Sequence, residues 1–342
     1  MSSSSPASAV SGSAPPPPPH VVEDCLGIVQ LLSDGTVKRS TDYSCLPLLG
    51  DVPADMPVQW KDAVYDAAHG LRLRMYRPTA AAAGHRRTTA KLPVVVYFHG
   101  GGFCMASFEL PNFHTAGLRL AAELPAVVLS ADYRLAPEHR LPAAHRDGEA
   151  VLAWLRDHAQ ADPWLAGSAD PGRVLVAGDS AGGNIAHHLA VRCGSGELPL
   201  DPLRLTGCVL LWPFFAGEER TPSEAAGDDL PMGTALFDQT WRLALPEGAT
   251  RDHPAANPFG PASAPLEAVA DFPPALVVDP ELDVLHDRIA EYAARMAAMG
   301  KAVERVVFRG QGHGFFVFEP LGEASDQLVG IIRRFVNQLA SN

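Results

Sequence analysis

Val174-Leu175-Val176-Ala177-Gly178-Asp179-Ser180-Ala181-Gly182 reads as a buried strand that runs into a sharp turn. From Ala181 to about Arg192 the apolar spacing becomes helical. The turn carries the pattern G-x-S-x-G. With this composition about 0.14 such pentapeptides arise by chance, so the letters alone decide little. The setting decides more. A strand-to-helix turn lifts a serine above the end of a sheet, and glycines flank it because side chains there would clash. Ser180 is therefore the expected nucleophile.

Upstream, Val94-Val95-Val96-Tyr97-Phe98 is a continuous apolar run, as in a strand covered on both faces. It ends in His99-Gly100-Gly101-Gly102. Residues without side chains let backbone N–H groups converge on one point, where they can hold the oxyanion of a tetrahedral intermediate. The N–H groups of Gly101, Gly102 and Ala181 are the expected donors.

A serine needs a base. Downstream, Gly310-Gln311-Gly312-His313-Gly314-Phe315 follows a strand expected at 303–308 and precedes a helix expected at 323–339. His313 is the expected base. An acid should lie between serine and histidine in chain order. Asp279-Pro280-Glu281-Leu282-Asp283-Val284-Leu285-His286-Asp287 offers four carboxylates at the end of a strand expected at 275–278. Asp279 still belongs to the strand, and Asp287 falls inside the next helix, facing away or paired with Arg288. Asp283 is best placed to orient an imidazole, with Glu281 as the alternative.

Further strands are expected at 126–130, 173–177 and 207–211, and helices at 113–123 and 143–158. Strands alternating with helices form right-handed βαβ units and a mostly parallel sheet flanked by helices. Together with the order glycine turn, Ser, acid, His, this resembles the α/β-hydrolase fold. Residues 62–76 read as strand, turn, strand, and 80–90 as a polar, Ala-rich loop. Two segments interrupt the pattern. Residues 21–50 carry few strand signals. The stretch from 213 is rich in Pro, Gly and acidic residues, with one helical stretch near 234–243. The segments 21–50 and 213–256 are expected to form a cap over the site. Residues 1–20, Ser/Pro-rich and uncharged up to Pro19, are expected to be a disordered tail, leaving 21–342 as the hydrolase domain.

The chain has 342 residues and a net charge of −12, with no basic run, which argues against nucleic acid as a partner. No apolar run has the roughly 20 residues needed to span a bilayer, so no membrane association is expected. Five scattered cysteines without C-x-x-C spacing suit a reducing compartment. A cytoplasmic location is expected, with the nucleus also open to it. No metal-ligand pattern is present, and a serine mechanism requires no cofactor.

His99-Gly100-Gly101-Gly102-Phe103, Asp132-Tyr133-Arg134-Leu135-Ala136-Pro137-Glu138 and Gly178-Asp179-Ser180-Ala181-Gly182-Gly183-Asn184 resemble the hormone-sensitive-lipase-like group of α/β hydrolases. Val22-Glu23-Asp24-Cys25-Leu26-Gly27 is similar to the opening of plant carboxylesterases. Trp241-Arg242-Leu243-Ala244-Leu245-Pro246 and Ala256-Asn257-Pro258-Phe259-Gly260-Pro261 look like the carboxylesterase 15 subgroup. That resemblance implies hydrolysis of strigolactone-type hormones. In the family a glycine usually precedes the acid by two residues; here Glu281 stands there. The same branch includes gibberellin receptors, which bind without hydrolysing and have an apolar residue at the histidine position. His313 keeps the hydrolytic set. A hydrophobic small-molecule ester is the expected partner, with Phe103, Phe214 and Phe215 lining its pocket. A broad-specificity detoxifying carboxylesterase and a hormone-binding protein with vestigial catalysis are the alternatives.

Overall fold

The computed structural model describes residues 17–50, 52–79, 91–227 and 232–340. The expected loop at 80–90 and residues 1–16 of the expected tail lie outside the described residues. The N-terminal segment opens with β1 (Val21–Cys25), β2 (Val29–Leu32) and β3 (Val37–Arg39), a small antiparallel sheet. These strands depart from the reading of 21–50 as poor in strand. Each has at most five residues, too few for a two-residue period to stand out. Their pairing with one another supplies what composition does not show.

The main sheet contains β4 (Val58–Asp66), β5 (Leu71–Pro78), β6 (Leu92–Phe98), β7 (Val127–Ala131), β8 (Ala169–Asp179), β9 (Leu205–Leu211), β10 (Ala275–Pro280) and β11 (Val303–Phe308). Their order is β11-β10-β9-β8-β6-β7-β5-β4. From β11 to β7 every pairing is parallel, and β5 and β4 add antiparallel strands at one edge. The sequence follows this geometry. In β6, β7 and β10 nearly every residue is buried, as a strand covered on both faces requires, whereas the edge strand β4 is mostly exposed or half-buried.

The helices are α1 (Pro111–Glu123), α2 (Ala143–His158), α3 (Pro163–Ser168), α4 (Ala181–Gly194), α5 (Pro222–Ala226), α6 (Thr234–Ala244), α7 (His286–Ala298), α8 (Phe315–Phe318) and α9 (Glu323–Leu339); α1, α2, α3, α4, α7 and α9 pack on the main sheet, α5 packs on α7, α6 on β1, and α8 on α1 and α9. Pro111 starts α1 where its missing N–H costs nothing. Between β9 and β10, α5 is closed by a capping box, Thr221 with Glu224. Glu224 also takes the Arg288 guanidinium of α7 at 2.7 Å and 2.9 Å, so α5 is fastened to the body. This replaces the expected Asp287–Arg288 pair. Asp287 instead accepts the Ser223 N–H at 2.8 Å. The N-terminal sheet is tied down at two points. Glu23 binds Arg242 (2.6 Å) and Gln239 (3.0 Å) of α6. Arg39 binds Glu138 (2.8 Å) and the carbonyls of Cys104 (2.7 Å) and Ala136 (2.8 Å).

Candidate active site

The carboxyl ends of β6, β8, β10 and β11 meet at one place, the end where open α/β sheets carry their sites. Ser180 sits between β8 and α4 with φ 52° and ψ −114°, a left-handed backbone that non-glycine residues seldom adopt. Strain of this kind persists only where the surroundings enforce it. A Cβ on Gly182 would overlap the Phe98 carbonyl oxygen, and one on Gly178 would overlap the Gly182 backbone. Both glycines of the pentapeptide are therefore fixed by backbone contact.

His313 Nε2 lies 3.0 Å from Ser180 Oγ, and His313 Nδ1 lies 2.7 Å from Asp283 Oδ2. The other Asp283 oxygen accepts the Leu285 N–H at 2.9 Å. A buried carboxylate on Nδ1 fixes the tautomer that leaves Nε2 free to accept the serine proton. The ring is held further by Phe237, edge-on at 4.8 Å between centroids. Glu281 turns the other way and accepts the Gly310 N–H at 2.8 Å, bracing the histidine loop from outside. Asp279 is buried on β10, bonded to His286 at 2.9 Å and to Arg305 at 2.8 Å. Of the four carboxylates, Asp283 reaches the imidazole.

Gly101 and Gly102 have φ 105° and 59°. A Cβ on Gly101 would overlap the Met105 carbonyl oxygen. Among the described residues no acceptor engages the N–H groups of Gly101, Gly102 or Ala181. Donors left free beside a nucleophile are what an oxyanion hole requires. The turn is held from behind by a group that motif reading passes over. Asp179 Oδ1 accepts the Gly100 N–H at 2.9 Å and the Tyr97 hydroxyl at 2.7 Å. Burial pushes its carboxyl up to about 6. The Tyr133 hydroxyl donates to the His99 carbonyl at 2.8 Å, and the two rings stack at 4.4 Å.

Ser180 opens into a narrow apolar cavity of about 80 Å³, walled by Leu46 and Leu48, Leu110 and Phe113, Phe214, Leu236 and Phe237, and Val317 and Phe318. A wider vestibule of about 500 Å³ adjoins it, rimmed by Leu26, Pro47, Leu282 and Phe318. Among the described residues the cavity's polar side chains are those of Asp179, Ser180, Thr240 and His313, and Thr240 Oγ1 already donates to the Phe237 carbonyl. Two expected lining residues are corrected. Phe103, at φ 64°, turns its ring inward against Tyr133, His145, Phe214 and Trp241. Phe215 packs on His187 and Tyr292. Neither lines the cavity; Phe214 does. The walls from Leu26, Leu46 and Leu48 come from a distant part of the chain, and no local pattern marks them.

A family model described as alpha/beta hydrolase fold matches residues 95–317. The chain is 36% identical to probable carboxylesterase 6 of Arabidopsis thaliana, over 87% of this chain and 85% of that protein. It is 38% identical to the gibberellin receptor GID1C of the same plant, over 81% of this chain and 80% of that protein. Among solved structures, an esterase of Pyrobaculum calidifontis superposes with a TM-score of 0.69 at 32% identity, covering 82% of this chain and 85% of that one.

Proposed function

We propose a mechanism and a substrate class for a chain that belongs to the alpha/beta hydrolase fold family and is a carboxylic ester hydrolase. His313 takes the Ser180 proton as Oγ attacks the ester carbonyl. The oxyanion rests on the N–H groups of Gly101, Gly102 and Ala181, and Asp283 balances the imidazolium. His313 then protonates the departing alcohol. Water, activated by the same imidazole, attacks the acyl-serine and releases the acid. The observation that carries this reading is the continuous line Ser180 Oγ, His313, Asp283 at 3.0 Å and 2.7 Å. Segments 21–50 and 213–256 act as the cap, and the protein works in the cytoplasm.

The substrate is an uncharged hydrophobic ester of strigolactone type. Two observations support it: the resemblance of residues 241–246 and 256–261 to the carboxylesterase 15 subgroup, and a cavity with no Lys or Arg among its described lining residues. A charged acyl or alcohol group would be desolvated there without a partner. Comparing kcat/KM for a strigolactone with that for simple aryl esters tests the assignment. Cleavage of the hormone no faster than its uncatalysed rate refutes it and leaves a broad-specificity detoxifying carboxylesterase. The similarity to GID1C favours a second reading, a hormone-binding protein. It predicts tight binding with negligible turnover, and the His313–Ser180 contact weighs against it.

A further inference from the structure

The geometry points to Asn112 as the positioning residue that sets the shape of the substrate cavity, an inference that rests on the esterase reading above. Asn112 is fully buried at the start of α1, yet its side chain serves two other parts of the chain. Its Oδ1 accepts the Leu49 N–H at 2.7 Å. Its Nδ2 donates to the Val317 carbonyl at 2.7 Å and to the Pro47 carbonyl at 3.3 Å. One amide thus joins the strap 46–49 to α8, and α8 begins two residues after His313. The strap supplies Leu46 and Leu48 to the cavity, α8 supplies Val317 and Phe318, and Leu110, which caps α1, and Phe113 lie either side of Asn112. Moving any of these walls would leave a buried amide or backbone group without its partner, which is strongly disfavoured. The clamp therefore fixes wall positions that hydrophobic contact alone would leave free to slide. It selects among substrates by the length of the apolar group beside the scissile carbonyl.

The test is a double-mutant cycle read on two homologous ester series, one varied in the acid and one in the alcohol, from two to eight carbons. Asn112→Leu keeps the branched shape and the number of heavy atoms and removes every polar contact. It is expected to change the long-to-short ratio of kcat/KM at least about tenfold in one series, mainly through KM. Combined with Leu48→Ala on the strap, its effect departs from multiplicative by about fivefold or more, because both changes act on the same wall. Combined with Leu236→Ala on α6, the effects multiply. Unchanged ratios in both series, or multiplicative effects with both partners, overturn the inference. Leu49→Pro removes the donated N–H without altering Asn112. Under amide hydrogen exchange it is expected to speed exchange in α8 as well as in the strap. Protection of α8 left intact overturns the clamp independently of turnover. A wild-type protein that cleaves neither series contradicts the esterase reading, and the exchange result still decides the clamp.

Discussion

Asp179 reaches back from the nucleophile turn and holds Gly100 in place, its Oδ1 accepting the Gly100 N–H at 2.9 Å. The residue before the serine thus sets the residue before the proposed oxyanion donors. Asp179→Ala removes that acceptor and is expected to lower kcat about 10²-fold, comparable to losing one oxyanion donor. Asp179→Asn keeps an oxygen acceptor and recovers most of the loss. Steady-state kinetics on an aryl acetate checks both; equal loss in the two variants contradicts a positioning role for the Asp179 acceptor.

The acid assignment separates two neighbouring carboxylates. Asp283→Asn takes the anion from His313 Nδ1 and favours the wrong tautomer, with an expected loss in kcat of about 10³–10⁴-fold. Glu281→Gln weakens the bond to Gly310 and the exposed contact with Arg309, and is expected to stay within about fivefold of wild type. The same ester assay reads both variants.

Phe103 and Phe214 are expected to respond differently. Phe103→Ala empties a packed site among four rings and costs about 3–5 kcal/mol in urea unfolding. Phe214→Ala widens the cavity and shifts ester chain-length preference. A Phe103→Ala variant of wild-type stability contradicts the placement of that ring.

The two rings differ in a direction that the sequence does not display. The strand-to-helix setting of Ser180, the glycine turn after β6 and the histidine loop after β11 were legible because each depends on local backbone requirements. The choice of Asp283 over Glu281 narrowed but did not close, since two side chains two residues apart differ only in the direction they take from one turn. The inward turn of Phe103 follows from its positive φ, which no composition reveals. Leu46, Leu48 and Asn112 act across the fold, and neither hydrophobic period nor motif connects them.

Buried histidines give stability a defined pH dependence. Burial pushes His187 down from its ordinary 6.5 to about 3, and His114 to about 4. As pH falls below about 6.5 the unfolded chain takes up protons that the folded chain refuses, so stability present above that pH is lost toward 3. Asp179, pushed up to about 6, works in the opposite sense, taking its proton earlier in the folded chain. His187→Gln keeps an acceptor for the Tyr292 hydroxyl and removes one such site. The fall in unfolding free energy from pH 7 to pH 4 is expected to be smaller in the variant, measured by denaturant titration. An equal or steeper fall contradicts a neutral buried His187.

The proposed mechanism requires Ser180 to form a covalent acyl intermediate. Hydrolysis of a short-chain aryl ester by wild type and by Ser180→Ala, with circular dichroism to confirm the fold, tests it most directly. Turnover is expected to drop at least about 10⁴-fold, with the fold intact. Undiminished hydrolysis by the folded variant would contradict it.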